Sequence, residues 1–301
     1  NTIVNIIIKR SYDGTLKEFQ VKRELIPINS VVSSFVLDSL NIGYIKLQNF
    51  SRNSITEFIN AAKILLGHKA ERIILDLRGN QGGLYEAGCE IADEFIPKDE
   101  IIAYTKGKLK NYETKYVSKE NKLLEKIPLI ILINDKSASA SEIVAGAIQD
   151  LDRGLIVGET SAGKGLVQKY SEFRDSSAIR HTIARYYTFS GRCIQKPYVK
   201  DKIKIDDQIK MQIDENQYDN FNKLVDNNEG RTDLPIFKSK NGRHLIGGGG
   251  IYPDYYVPED TTTILSKVIK NKGFLLEYVF KYLNNMRDSI INKYSNINEF
   301  N

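Results

Sequence analysis

Strands alternating with helices along the middle of the chain predict an α/β fold with a substantially parallel sheet. Two runs carry most of that expectation. Arg72-Ile73-Ile74-Leu75-Asp76-Leu77 is an apolar stretch of strand length, followed by the glycine-rich turn Gly79-Asn80-Gln81-Gly82-Gly83 and a helix over roughly residues 84–96. Ile127 to Ile133 is a second such stretch, followed by a turn at Asn134 to Ser137 and a helix from Ser139 to Leu151. Continuous apolar runs of this length, closed by turn residues, read as strands covered on both faces. The helices between them read as crossovers. A short third strand, Gly154 to Gly158, continues the pattern.

The flanking elements follow in order. Residues 2–10 end in Ile6-Ile7-Ile8-Lys9-Arg10 and read as a strand, Ser11-Tyr12-Asp13-Gly14 as a turn, and residues 17–25 as the hairpin partner. Segment 31–47 holds two strands, of which 42–47 is the clearer. Over residues 54–67, Ile55, Phe58, Ile59, Ala62, Ile64 and Leu65 recur at helical spacing, and Gly67 closes the pattern. Residues 166–173 and 178–188 alternate as an antiparallel pair. Beyond residue 200 the sequence turns polar. Gly247 to Gly250 then leads through Ile251-Tyr252-Pro253-Asp254 into a returning strand near 250–257, and residues 262–298 read as helical. No repeat or compositional linker divides the chain. The organisation expected is a core over residues 11–200 and a C-terminal elaboration over 201–301.

Composition excludes several function classes. The 301 residues are 41% apolar and 27% charged, ordinary for a globular protein with a large core. The net charge of +5 is mild, and basic residues are mixed with acidic ones, so no nucleic-acid stripe emerges. No apolar run approaches the roughly 18 residues of a membrane span. Cys89 and Cys193 allow one disulfide at most and form no metal-binding pattern.

Chemistry concentrates in three segments. In Lys136-Ser137-Ala138-Ser139-Ala140-Ser141-Glu142 a serine lies at a strand-to-helix junction, where its hydroxyl faces the carboxyl end of the strand. The helix start there offers unpaired amides to a developing oxyanion. A plain helix cap suits the same position, and the residues alone leave both readings open. A serine nucleophile needs a base. His68, His181 and His244 occupy no distinctive motif, so a histidine triad has little support. A lysine can serve where burial disfavours its ammonium form, and Lys164 in Gly158-Glu159-Thr160-Ser161-Ala162-Gly163-Lys164-Gly165 is the candidate. That segment also matches the first seven positions of a phosphate-binding loop. Gly165 stands where a magnesium-binding hydroxyl is needed, however, and strand-like alternation follows where a helix is required. In the third segment, Asp76 to Gly83, glycines suit an oxyanion hole, and a structural turn with an Arg78–Asp76 support suits it equally.

Together and in this order, the segments resemble the carboxyl-terminal processing proteases, serine peptidase family S41. The family pattern runs Asp-Leu-Arg-Gly-Asn-x-Gly-Gly, then Ser-Ala-Ser-Ala-Ser-Glu-Ile, then Gly-Lys-Gly-x-Val-Gln, and each part occurs here, with Gln81 at the variable place. The family's spacing of 25 positions between nucleophile and lysine selects Ser139 over Ser137 and Ser141. Ala184-Arg185-Tyr186-Tyr187 leading to Ser190-Gly191-Arg192, and Gly248-Gly249-Gly250-Ile251 leading to Pro253-Asp254, extend the resemblance over roughly residues 30–260.

The resemblance implies a ClpP/crotonase-like α/β core of mixed sheets and helices, with residues 1–10 the last strand of a PDZ-like domain. It implies a serine endopeptidase acting through an acyl-enzyme. Ser139 would be the nucleophile, Lys164 the base, and Gln168 the group that orients the lysine amine. Gly82, Gly83 and Ala140 would form the oxyanion hole, supported by Asp150, Asp76 and Arg78. A continuous helix puts Asp150 about 16 Å from Ser139, which makes it a structural support. Substrates would be proteins or peptides with accessible carboxyl termini, with no metal, cofactor, nucleotide or nucleic acid required. The setting would be extracytoplasmic, periplasmic by resemblance, and a homo-oligomer fits. A non-proteolytic binding protein on the same fold, as in retinoid-binding relatives, is the alternative; the intact serine, lysine and glutamine argue against it.

Overall fold

The computed structural model describes residues 2–196, 235–258 and 268–293, apart from short stretches at 11–13, 25–27, 38–39, 121 and 270–271. The polar stretch over 201–234 and the turn at residues 11–13 lie outside the described residues. The chain divides into two units, residues 1–257 and 258–301.

The first unit is built on a six-stranded sheet in the order β14-β9-β8-β5-β4-β3. Its members are β3 (Val31–Leu37), β4 (Ile42–Leu47), β5 (Arg72–Asp76), β8 (Leu129–Ile133), β9 (Leu155–Gly158) and β14 (Tyr255–Tyr256). From β4 to β14 the pairing is parallel, and only the edge strand β3 runs antiparallel to its neighbour. Parallel order follows from the helical crossovers α1 (Ser54–Gly67), α2 (Tyr85–Asp93) and α3 (Ala140–Asp150). The apolar run of β8 packs between sheet neighbours with Leu129, Ile131 and Ile133 buried. All eleven residues of α3 are buried. A helix covered on every side needs small residues where neighbours come close. A Cβ on Gly146 would stand 2.7 Å from a Thr188 methyl and 3.1 Å from Ile251.

A second, antiparallel sheet follows the order β10-β11-β6-β7. It comprises β6 (Ile101–Gly107), β7 (Lys115–Val117), β10 (Leu166–Glu172) and β11 (Ala178–Thr188). The β10–β11 pair is legible in the sequence. Strands β6 and β7 have no counterpart among the expectations. Two hairpins stand apart from these sheets: β1 (Ile3–Lys9) with β2 (Leu16–Lys22), and β12 (Ile236–Lys238) with β13 (His244–Ile246). In the second unit, α4 spans Phe274–Lys293 within the expected helical stretch.

A buried polar network ties Ser190, Arg192, Tyr252 and Asp254 to the end of α3. Arg192, 1% exposed, donates from Nε to Asp150 at 2.9 Å and from Nη2 to Gln149 Oε1 at 2.7 Å. Asp150 also accepts from the Ser190 amide at 2.8 Å. Gln149 Nε2 donates to Tyr252 O and to Asp254, whose other oxygen accepts the Ile156 amide. Replacing one member of a buried pair strands the other charge. Arg192→Leu is therefore expected to cost about 3–5 kcal/mol, read as a lower urea midpoint; an unchanged midpoint would show that this pair does not hold the C-terminal strands.

Candidate active site

The turn between β8 and α3 is held by its outer serines and presents the middle one. Ser137, fully buried, donates from Oγ to Leu77 O at 2.8 Å and accepts from the Asn134 amide at 3.0 Å. Ser141, also fully buried, donates to Asn80 O at 2.8 Å. Both hydroxyls are used to dock the turn against the loop after β5. Ser139 sits at the N-cap of α3, half-buried, with φ 56° and ψ −113°. That conformation lies outside the regions open to a residue with a side chain. It persists only where the surroundings over-determine it, a circumstance typical of functional sites.

The glycine loop lies directly against this serine. A Cβ on Gly82 would come within 2.8 Å of Ser139 Cβ and 2.6 Å of Ala138 O. On Gly83 it would stand 2.0 Å from Phe50 O, so only glycine fits. Buried Asn80 shapes the loop, donating to Leu47 O and accepting the Gly82 amide at 2.9 Å. Gly82 therefore has its N–H committed inside the loop, which removes it from the three expected oxyanion donors. The Gly83 and Ala140 amides make no hydrogen bond among the described residues. Those two remain available to a ligand.

Glu142 joins the lysine loop to the serine turn. It is 1% exposed. Its Oε2 accepts from the Ser139 amide at 2.8 Å and from the Lys164 amide at 2.9 Å; its Oε1 accepts from Ser161 Oγ and the Gly163 amide, each at 2.6 Å. Burial pushes the carboxyl above the usual glutamate range, and these four bonds pull the other way. Ser161 in turn accepts the Ile251 amide at 2.7 Å, so the segment before β14 buttresses the lysine loop. Sequence reasoning assigned Glu142 no role, although a Ser-x-x-Glu capping box is readable at this helix start.

Among the described residues no hydrogen bond joins the side chain of Lys164 or Gln168 to Ser139. Both residues are exposed, and neither side chain has a hydrogen bond or ion pair among the described residues. Gln168 lies where the β10–β11 register shifts, next to Val167. The chain after Lys164 continues as strand β10, not as the helix of a phosphate-binding loop. Asp150 lies at the far end of α3, bound to Arg192. Asp76 accepts from Tyr44 Oη at 2.7 Å, from Lys46, and from the Arg78 amide and guanidinium. Burial opposes its charge, but the bonds from Arg78 and Tyr44 prevail and bring its pKa to about 2. The pair braces the end of β5. Among the described residues no group of histidine, cysteine and carboxylate side chains is placed to hold a metal ion.

Residues 41–205 match the model of peptidase family S41. The chain is 39% identical over 188 residues to a carboxyl-terminal-processing protease of a Picosynechococcus species, covering 62% of this chain and 44% of that one. It is 34% identical over 203 residues to the carboxy-terminal processing protease CtpA of Bacillus subtilis, covering 67% and 42%. Among solved structures, the photosystem II D1 C-terminal processing protease superposes with a TM-score of 0.50 at 28% identity, over 64% of this chain and 53% of that one. The chain spans less than half the length of either curated relative.

Two substitutions probe this geometry. Glycine tolerates the Ser139 backbone where alanine does not, so Ser139→Gly should be more stable than Ser139→Ala by about 1 kcal/mol. Equal melting temperatures would show that the turn stores no strain. Glu142→Gln sets an NH2 group against amide donors, and a loss of about 2–5 kcal/mol is expected in urea unfolding. A variant as stable as the parent would show that the carboxylate is not the tie.

Proposed function

The chain belongs to peptidase family S41, and on that premise we propose that it is a serine endopeptidase with a Ser139–Lys164 dyad, cutting protein substrates near their carboxyl termini. One observation carries the reading: a single oxygen of Glu142 lies within 2.9 Å of the backbone nitrogens of both residues. The backbone of the base is thus fastened beside that of the nucleophile. Rotation of the exposed Lys164 side chain closes the dyad. Exclusion of water by a bound polypeptide favours a neutral amine over an ammonium.

In the proposed sequence, the Lys164 amine takes the proton from Ser139 Oγ as that oxygen attacks a peptide carbonyl. The amides of Gly83 and Ala140 receive the negative charge on the carbonyl oxygen. The ammonium returns its proton to the leaving amine, and water hydrolyses the acyl-enzyme by the same route. Gln168 holds the amine once the lysine has turned inward. Substrate tails, an extracytoplasmic and periplasmic setting, and assembly as a homo-oligomer complete the proposal. The relatives, carboxyl-terminal processing proteases, support the first. The second rests on the family resemblance alone. Residues 1–10 are read, from the family resemblance, as the last strand of a PDZ-like module; among the described residues β1 pairs with β2 alone.

Incubating the chain with an unstructured protein tests the dyad. Fragments should form, and Ser139→Ala and Lys164→Ala should each slow their formation by about a thousandfold or more, with circular dichroism unchanged. Undiminished cleavage by Lys164→Ala would remove the lysine from the mechanism. Fragments that persist in Ser139→Ala would remove the serine.

A further inference from the structure

The outward face of the antiparallel sheet sets cations against one another. Register places Arg185 opposite Lys106, Tyr187 opposite Tyr104, Tyr104 opposite Lys115, and Leu166 opposite Arg185. Directly opposed residues share a face. Lys115, Tyr104 and Tyr187 thus form one row, and Lys106, Arg185 and Leu166 the next. The reverse face is the covered one, with Thr105, Ala184 and Tyr186 buried and Tyr186 stacked on Tyr85 of α2.

Lys106, Lys115 and Arg185 are exposed, and none forms an ion pair among the described residues. The Tyr104 and Tyr187 rings stack at 5.3 Å, and Lys106 Nζ sits 5.2 Å and 5.6 Å from their centroids. Open clefts of about 470 and 380 Å³ flank the Lys106 ridge, one reaching Lys115 and the other Lys108 and Arg185. Among the described residues Glu113 is the single acidic one bordering either cleft.

Like charges in direct cross-strand opposition work against the sheet that holds them. Neither member of this pair has an ion-pair partner among the described residues. Lysine and arginine heads spaced along two rows beside flat aromatic rings suit an extended anionic peptide, with carboxylates on the cations and main chain over the rings. The second row ends at Leu166, two residues beyond Lys164, whose backbone is tied through Glu142 beside that of Ser139. We propose that this face binds an acidic stretch of the polypeptide substrate. The word substrate rests on the protease reading; the binding itself does not.

The test uses the chain carrying Ser139→Ala, so that bound peptide is not cut. Two labelled unstructured peptides, one rich in Asp and Glu and the other with the corresponding Asn and Gln, are titrated by fluorescence anisotropy at low and high salt. The acidic peptide should bind about tenfold more tightly, with the advantage shrinking as salt screens the charges. Added Lys106→Glu or Arg185→Glu should erase the advantage. Arg185→Glu should also raise the melting temperature, because it sets opposite charges across from each other, so lost binding would not reflect a lost fold. Equal affinity for the two peptides, or a preference that survives both charge reversals, overturns the proposal. Preferential binding by a chain whose parent cleaves nothing upholds it while removing the protease reading; cleavage by the parent with no charge preference in binding does the reverse.

Discussion

Glu142 is a carboxylate buried in the protein's interior with four donors on its two oxygens, three of them backbone amides. Removing a charge from water is costly unless hydrogen bonds replace the solvent. Here hydrogen bonds offset part of that cost, though burial still holds the carboxyl above the usual glutamate range, and none of them comes from a lysine or arginine side chain. Its place at the third position of α3 adds the positive end of the helix dipole. Because the donors come from residues 139, 161, 163 and 164, no single local conformation satisfies the group. The serine turn and the lysine loop must arrive together, or a buried charge is left unmet. That requirement holds two segments twenty-five residues apart in a fixed relation.

The remaining contacts transmit this constraint outward. Ser161 passes it to Ile251, and through that segment to β14 at the sheet edge. Ser137 and Ser141 pass it to the loop after β5. Asn80 and Phe50 then set the two glycines against the serine, Phe50 donating to Gly82 O and accepting from the Leu84 amide. At the opposite end of α3, Asp150 and Gln149 fix the helix through Arg192 and Asp254. A helix tied at both ends and buried throughout cannot shift to relieve the backbone strain at Ser139. Packing along α3 and hydrogen bonds at both its ends oppose a shift that would relieve that strain.

Much of this was legible in the sequence, because strong local signals write it. The runs at 72–77 and 127–133 are strands in the expected place, and the helices after them follow. The serine turn, glycine loop and lysine loop do converge. The allocation of backbone hydrogen bonds was not legible. Gly82 reads as an oxyanion donor until its amide is found on Asn80, two residues back. Glu142 reads as half of a capping box, since nothing local reveals that the same oxygen reaches Lys164. Strand β6 pairs with β11, some eighty residues later, and its basic C-terminal end carries no strand signal of its own.

The two halves of the proposed dyad are restrained very differently. Ser139 has backbone, turn and helix all fixed around it. Lys164 is fixed only at its main chain, and its side chain lies in solvent. Such a pairing puts the variable part of the site in one long side chain, whose rotations are fast and inexpensive compared with any movement of α3. It also ties that side chain to β10, an edge strand that carries Leu166 and Gln168 on either side of Val167. Whatever lies along the antiparallel sheet bears on the strand from which the lysine emerges. The rigid half of the proposed site can therefore stay poised while the proposed base swings in from β10.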